Sequence, residues 1–251
     1  MSTIETSKIE PTSGTTLTLG ASGDVVTAPT GVTVKTNTVK DAGGNTLWTS
    51  NGGGTLSSVN SGLQGGLKFI SSSSTAGAAS IEFTSGIDNT YDEYVFYFVN
   101  CAPITNAEEL QMITSTNGGS GYGVATTSTH FRASQMTTWS TSTTLAYETS
   151  RDLANSTSPH KITLNMAHST QSAGGNNIPG ANMGGELRLY SPSDTTYVKH
   201  WTARFNYNYY LAGTVTSFSA GYVNTTSAVN AIKFYSTSGN IEGTIAMYGV
   251  A

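Results

Sequence analysis

Every second residue from Trp201 to Tyr209 is apolar or aromatic: Trp201, Ala203, Phe205, Tyr207 and Tyr209 alternate with Thr202, Arg204, Asn206 and Asn208. Successive side chains of a strand point to opposite faces, so this period of two predicts one long strand with an apolar and a polar face. An apolar face must be laid on a second layer. The same alternation recurs in Ile81-Glu82-Phe83, in Lys161 to Met166 through Ile162, Leu164 and Met166, and in Glu186 to Tyr190 through Leu187 and Leu189. Leu110 to Ile113 predicts a strand that ends at Asn117-Gly118-Gly119. Tyr94 to Val99 is a continuous apolar run of strand length, suited to burial on both faces. Ile232 and Phe234, the turn Ser238-Gly239-Asn240, and then Ile241, Ile245 and Met247 predict a closing hairpin. Only Glu108-Glu109-Leu110 and Arg151-Asp152-Leu153 hint at helix. Spaced strands without helical crossovers predict an all-β chain folded as an antiparallel β-sandwich, with a jelly roll as the specific expectation.

Residues 1–66 differ from the remainder. Trp48 is their one aromatic residue. Leu17 and Leu19, Val25-Val26, and Val32 and Val34 form short apolar pieces. Between them stand the turns Ser22-Gly23-Asp24, Pro29-Thr30-Gly31, Asp41-Ala42-Gly43-Gly44-Asn45 and Asn51-Gly52-Gly53-Gly54. Strands this short cannot enclose a core in a single copy. Two readings follow: an attachment or shaft segment intertwined with other copies, or a Gly/Thr linker. Gly62 to Gly66 marks the junction, giving an N-terminal segment 1–66 and a C-terminal β-sandwich domain 67–251. Disorder is excluded for the second part by its supply of Tyr, Phe and Trp.

Charged residues are 10 % of the chain and the net charge is −4. No Lys/Arg run is present, so the electrostatic footprint of a nucleic-acid binder is missing. Thr and Ser, far above ordinary usage, cover the surface instead. No stretch approaches a membrane span, and Met1 to Pro11 holds no apolar signal region. The single cysteine, Cys101, follows an apolar run and reads as a buried thiol.

Chemistry-bearing motifs are sparse. His130, His160, His168 and His200 stand at no metal-ligand spacing, and no cofactor is implied. There is no nucleophile elbow, P-loop or dinucleotide fingerprint; Gly118 to Gly123 is Gly-rich without a Lys or a following helix. Asp92-Glu93 and Glu108-Glu109 contain carboxylates, but neighbours in a strand point to opposite faces and cannot act as a glycosidase pair. The chain is therefore expected to have no catalytic residues. Trp139, in the Ser/Thr-rich stretch Met136 to Thr141, and Tyr122, in the Gly-rich loop, are the candidate ligand contacts, since an amphipathic ring suits sugar stacking. The Tyr207-Asn208-Tyr209-Tyr210 cluster reads as strand and subunit contact.

The segment Ala231 to Ile241, followed by Gly243-Thr244-Ile245-Ala246-Met247-Tyr248-Gly249-Val250, resembles the C-terminal hairpin of bacteriophage tail-fibre and minor virion domains. Tyr91-Asp92-Glu93-Tyr94, Leu110 through Ser120, and Gly185-Glu186-Leu187 with Tyr190-Ser191-Pro192-Ser193 are similar to earlier strands of the same domain. Lys8-Ile9-Glu10-Pro11 with Ser13 to Leu17 resembles the start of marine and cyanobacterial phage fibre proteins. The resemblance implies a homotrimeric tail fibre in the virion, assembled in a host cytoplasm. It further implies attachment to other virion proteins through residues 1–66 and contact with a host-surface glycan. Two alternatives stand beside it: a capsid decoration protein that stabilises the head, and a free-standing carbohydrate-binding module.

Overall fold

A computed structural model describes residues 30, 35–53, 56–59, 66–136, 143–168, 172–173, 176–177 and 180–251. The chain divides into two compact units, Met1–Leu63 and Gln64–Ala251.

In the first unit, β1 (Thr38–Lys40), β2 (Thr46–Ser50) and β3 (Leu56–Val59) form an antiparallel sheet in the order β1-β2-β3. The two connecting turns are those marked by Gly and Asx residues. The Asp41 carboxylate accepts from the Asn45 backbone N–H at 2.8 Å and from Asn45 Nδ2 at 3.0 Å. Asn51 Oδ1 accepts from Gly53 N–H at 2.8 Å. Trp48 stands opposite Val39 on one side and Val59 on the other. No described residue of this unit is buried. The apolar pieces at Leu17, Leu19, Val25, Val26, Val32 and Val34 lie outside the described residues.

The second unit runs β4 (Leu67–Ala78), β5 (Ser80–Phe83), β6 (Glu93–Pro103), β7 (Leu110–Ser115), β8 (Thr126–Met136), β9 (Thr143–Tyr147), β10 (Leu153–Ser156), β11 (His160–Lys161), β12 (Ser172–Ala173) and β13 (Asn176–Asn177). It continues with β14 (Met183–Tyr190), β15 (Lys199–Tyr209), β16 (Gly213–Val223), β17 (Ala231–Ser236) and β18 (Ile241–Val250). One 3-10 turn, Thr149–Arg151, is the helical element among the described residues. No helix among them is long and apolar enough to cross a membrane. The larger sheet has nine strands, ordered β10-β8-β16-β15-β14-β6-β18-β4 with β9 also on β8; the smaller has four, ordered β11-β7-β17-β5.

Eight of these strands carry the fold. Taken in chain order, β4 pairs with β18, β5 with β17, β6 with β14 and β7 with β11, all antiparallel. First pairs with last, second with second-last, and so inward to the middle. A long antiparallel strip of that kind, rolled so that β18 also meets β6 and β17 also meets β7, is a jelly roll. The remaining long strands, β8 with β9 and β10, and β15 with β16, are insertions that extend the larger sheet beyond the smaller one.

The predicted alternation of β15 is realised: Trp201, Ala203, Phe205 and Tyr207 are buried, while Thr202, Arg204 and Asn206 are exposed. Edge-to-face rings fill the space between the sheets. Phe234 lies 4.9 Å from Phe98 and 5.6 Å from Phe96, and Phe98 is 4.9 Å from Phe205. Cys101 is buried as expected; burial pushes its thiol up to about 12, and Sγ donates to the Thr244 carbonyl at 3.3 Å.

Four local expectations need correction. The closing hairpin is an arch: β17 lies in the smaller sheet and β18 in the larger, with the Ser238-Gly239-Asn240 turn carrying the chain between them. Phe234 and Met247 are both buried because they face one core from opposite layers, which gives the same alternation a hairpin would. In Tyr94 to Val99, only Tyr94, Val95 and Phe96 are buried on both faces; Tyr97 is half-buried and Val99 is 50 % exposed, both on the outer surface. Lys161 to Met166 leaves the smaller sheet after Lys161, because Thr163 turns its hydroxyl to accept from Leu110 N–H at 2.8 Å. Of the two helical hints, the first gives way to β7, which Leu110 opens, while the second is met by the 3-10 turn Thr149–Arg151 before Leu153 opens β10.

Candidate functional site

The strands that extend the larger sheet expose a broad outer face, and its register sets a row of side chains across it. Phe131 on β8 stands opposite Tyr147 on β9 and Phe218 on β16; Phe218 stands opposite Arg204 on β15. Arg204 stands opposite Glu186 on β14, and Glu186 opposite Tyr97 on β6. The Phe131 and Phe218 rings stack with centroids 5.0 Å apart and planes at 12°. Phe131 is 43 % exposed. Farther along β16, Tyr222 and its β15 neighbour His200 have rings 5.8 Å apart.

Between these two ring pairs the floor is low. Thr129, Thr202 and Ala220 are the small outward residues there. They floor two adjoining depressions of about 270 Å³ and 310 Å³, walled by Phe131 and Phe218 at one end and His200 and Tyr222 at the other. The size is that of a small-molecule or single-residue subsite. A second aromatic strip lies on the far side of the sheet: Phe69 to Tyr248 at 5.5 Å and Tyr248 to Tyr97 at 5.6 Å. Three strand spacings separate β16 from β6, or roughly 14 Å.

Charges occupy the ground between the strips. Arg188 forks onto Glu186 (Nε to Oε1 3.1 Å, Nη2 to Oε2 3.3 Å) and reaches Glu93 at 2.6 Å. These carboxylates hold the Arg188 guanidinium firmly in its charged form. Arg204 is different. Among the described residues, no acceptor holds its guanidinium, which stands exposed beside Phe218.

Of the two contacts expected from the sequence, Trp139 lies outside the described residues. Tyr122 lies away from this face. Its hydroxyl donates to Glu82 Oε2 at 2.9 Å, and Lys233 Nζ sits 4.2 Å from its ring centre while reaching Glu82 at 3.5 Å. Glu82 and Lys233 are cross-strand partners of the smaller sheet, so Tyr122 closes a triad that pins the Gly118–Gly123 loop. Three of the four carboxylates in the two couples are engaged, each with partners of its own. Glu93 meets Arg188; buried Glu109 meets Arg151 and, at 2.8 Å, Lys161; Glu108 accepts from Thr237 at 2.5 Å.

The structure brings two of the histidines together. His130 and His160 are buried with ring centres 6.1 Å apart, and His160 lies 4.7 Å from Trp201. Ser128 Oγ is 3.0 Å from His160 Nδ1. Burial, seconded by the Arg151 charge, pulls His130 down to about 4; burial, with His130 adding, pulls His160 down to about 3. Both imidazoles are neutral at pH 7. Among the described residues no group of three or more His, Cys, Asp or Glu could hold a metal ion.

The open face was missed by the sequence reading because Phe131 and Phe218 look like core. The phase of β16 held the signal. Val215 and Val223 are buried, so Ser217 and Ser219 point inward with them and Phe218 must point out.

No protein-family model matches the chain, and neither the curated proteins nor the solved structures contain a match to it.

Proposed function

We propose that the chain is a non-enzymatic attachment protein whose jelly-roll domain binds a saccharide on the open face of its larger sheet. The observation that carries this reading is the pairing of exposed rings with hydroxyls across one face. Stacked Phe131 and Phe218, together with His200 and Tyr222, flank a floor of Thr129, Thr202 and Ala220. Sugars present apolar ring faces and a fringe of hydroxyls, and such a surface answers both. An exposed apolar patch of this kind marks an interaction site.

The resemblance to phage fibre domains supplies the setting: a homotrimeric tail fibre, with residues 1–66 joined to other virion proteins and the jelly roll turned toward the host. The first unit supports association with further copies, since none of its described residues is buried and Trp48 is only half-covered. The full chain should sediment as a trimer at micromolar concentration.

The test of the binding reading is affinity electrophoresis of the full chain through gels containing plant, algal and bacterial polysaccharides. Retardation by at least one of them is expected, and its loss in the double variant F131S/F218S. Retention that is the same in the double variant would overturn the assignment of the face.

A further inference from the structure

Resting on that reading, we infer that the saccharide taken by the open face is acidic, and that Arg204 receives its carboxylate. Among the described residues the Arg204 side chain holds no partner, although a carboxylate stands directly opposite it on β14. That carboxylate, Glu186, is already forked by Arg188 through both its oxygens. Arg188 takes a second carboxylate in Glu93. The face therefore satisfies its own anions with one arginine and leaves the other for a ligand.

Position strengthens the case. Arg204 borders both the depression beside Phe131 and Phe218 and a second one lined by Tyr97, Val99 and Glu186. It thus stands between the two aromatic strips. A guanidinium binds a carboxylate through two parallel N–H donors, a geometry a lysine cannot reproduce. A sugar ring stacked near Phe218 places a ring carboxylate within reach of the neighbouring strand, one spacing of about 4.8 Å away. Glu186 would repel such an anion if it were bare; its fork to Arg188, a guanidinium shared with Glu93, offsets part of that charge. The arrangement fits a uronic-acid chain laid across the strands, with rings on the aromatic strips and one carboxylate on Arg204.

The experiment measures retardation of the full chain by polygalacturonate and by dextran as the neutral control, at low and at physiological salt. Wild type should prefer polygalacturonate, and the preference should shrink with salt. R204Q should lose about tenfold or more of the polygalacturonate affinity with an unchanged melting curve, and R204K should recover only part of it. Equal retardation of R204Q and wild type, or equal retardation by both polymers, overturns the acidic-sugar inference while leaving the face's role standing. Unchanged binding in F131S/F218S removes the reading beneath it. Self-association that F131S/F218S abolishes would assign the face to a second copy of the chain and overturn the inference as well.

Discussion

The interior of the jelly-roll domain has two halves that hold together by different means. Under β6, β14, β17 and β18 it is made of rings and branched chains: Phe83, Phe96, Phe98, Phe205 and Phe234, with Ile81, Leu187, Ile232 and Ile245. Under β8 and β16 the inward residues include Ser128, His130, Ser134, Ser217 and Ser219, all buried, between Val215 and Val223. The difference follows from what covers each half. The first is closed by a second sheet, whose backbone groups are spent on its own ladder. The second extends past that sheet and is met by residues 149–166, where β10 and β11 are short and the peptide groups around them need other partners. The serines supply them: Ser217 Oγ donates to the Ile162 carbonyl at 3.0 Å, and Ser128 Oγ accepts from Leu153 N–H at 3.2 Å. The half is not fully satisfied. Both His130 nitrogens, His160 Nε2, Trp201 Nε1 and Ser219 Oγ have no protein partner among the described residues.

The largest effect should come from the ring half. F234A removes a ring that touches Phe83, Phe96 and Phe98 and leaves a cavity between the sheets. The cost is about 3–5 kcal/mol, read in calorimetry as a fall in Tm of roughly 10 °C. A drop of only a degree or two would mean that this half is loosely packed.

Next comes acid. His130 titrates near 4 in the folded chain and near its ordinary 6.5 when unfolded. Between those values the unfolded state takes up a proton that the folded state refuses, so stability falls as pH falls from about 6.5 to about 4 and is complete above it. His130 faces Arg151, Glu148, Asp152, Arg132 and His160, and its share is about 3 kcal/mol. Urea midpoints measured across that window should slope in the wild type and slope less in H130L, where buried His160 keeps its own share. An equal slope in both would place the acid sensitivity elsewhere.

The smallest effect is S217A, which leaves the Ile162 carbonyl without its donor at a cost of about 1–2 kcal/mol. A neutral result would show that the polar half tolerates one more unpaired group, and that its serines fill space more than they bond.

These halves also explain how far the sequence could be read. Apolar alternation such as Trp201 to Tyr207 states its face directly, and the all-β sandwich follows from it. Where a covering segment demands hydroxyls, the rule inverts: Phe131 and Phe218 face solvent while His130 and Ser219 face the core. Period alone cannot tell these cases apart. It also cannot tell an arch from a hairpin, as Ile232 to Met247 shows. Arg204 was readable as a polar-face residue of its strand. Its lack of a partner depends on Glu186 turning to Arg188, and that appears only with the register.

One feature of the topology bears on how the protein is made. β18 sits between β4 and β6, paired to both, so the first two long strands of the larger sheet are not neighbours until the last one separates and joins them. On a ribosome, β4 and β6 wait through the synthesis of every intervening strand with these edges unpaired. Such edges are templates for pairing with another chain. Closing the sheet also means bringing together segments some 170 residues apart, a slow step for any chain. The serine run Ser71 to Ser74 on β4, which pairs with Thr244 to Met247 once β18 is in place, makes that waiting strand polar on both faces and poorly suited to aggregation.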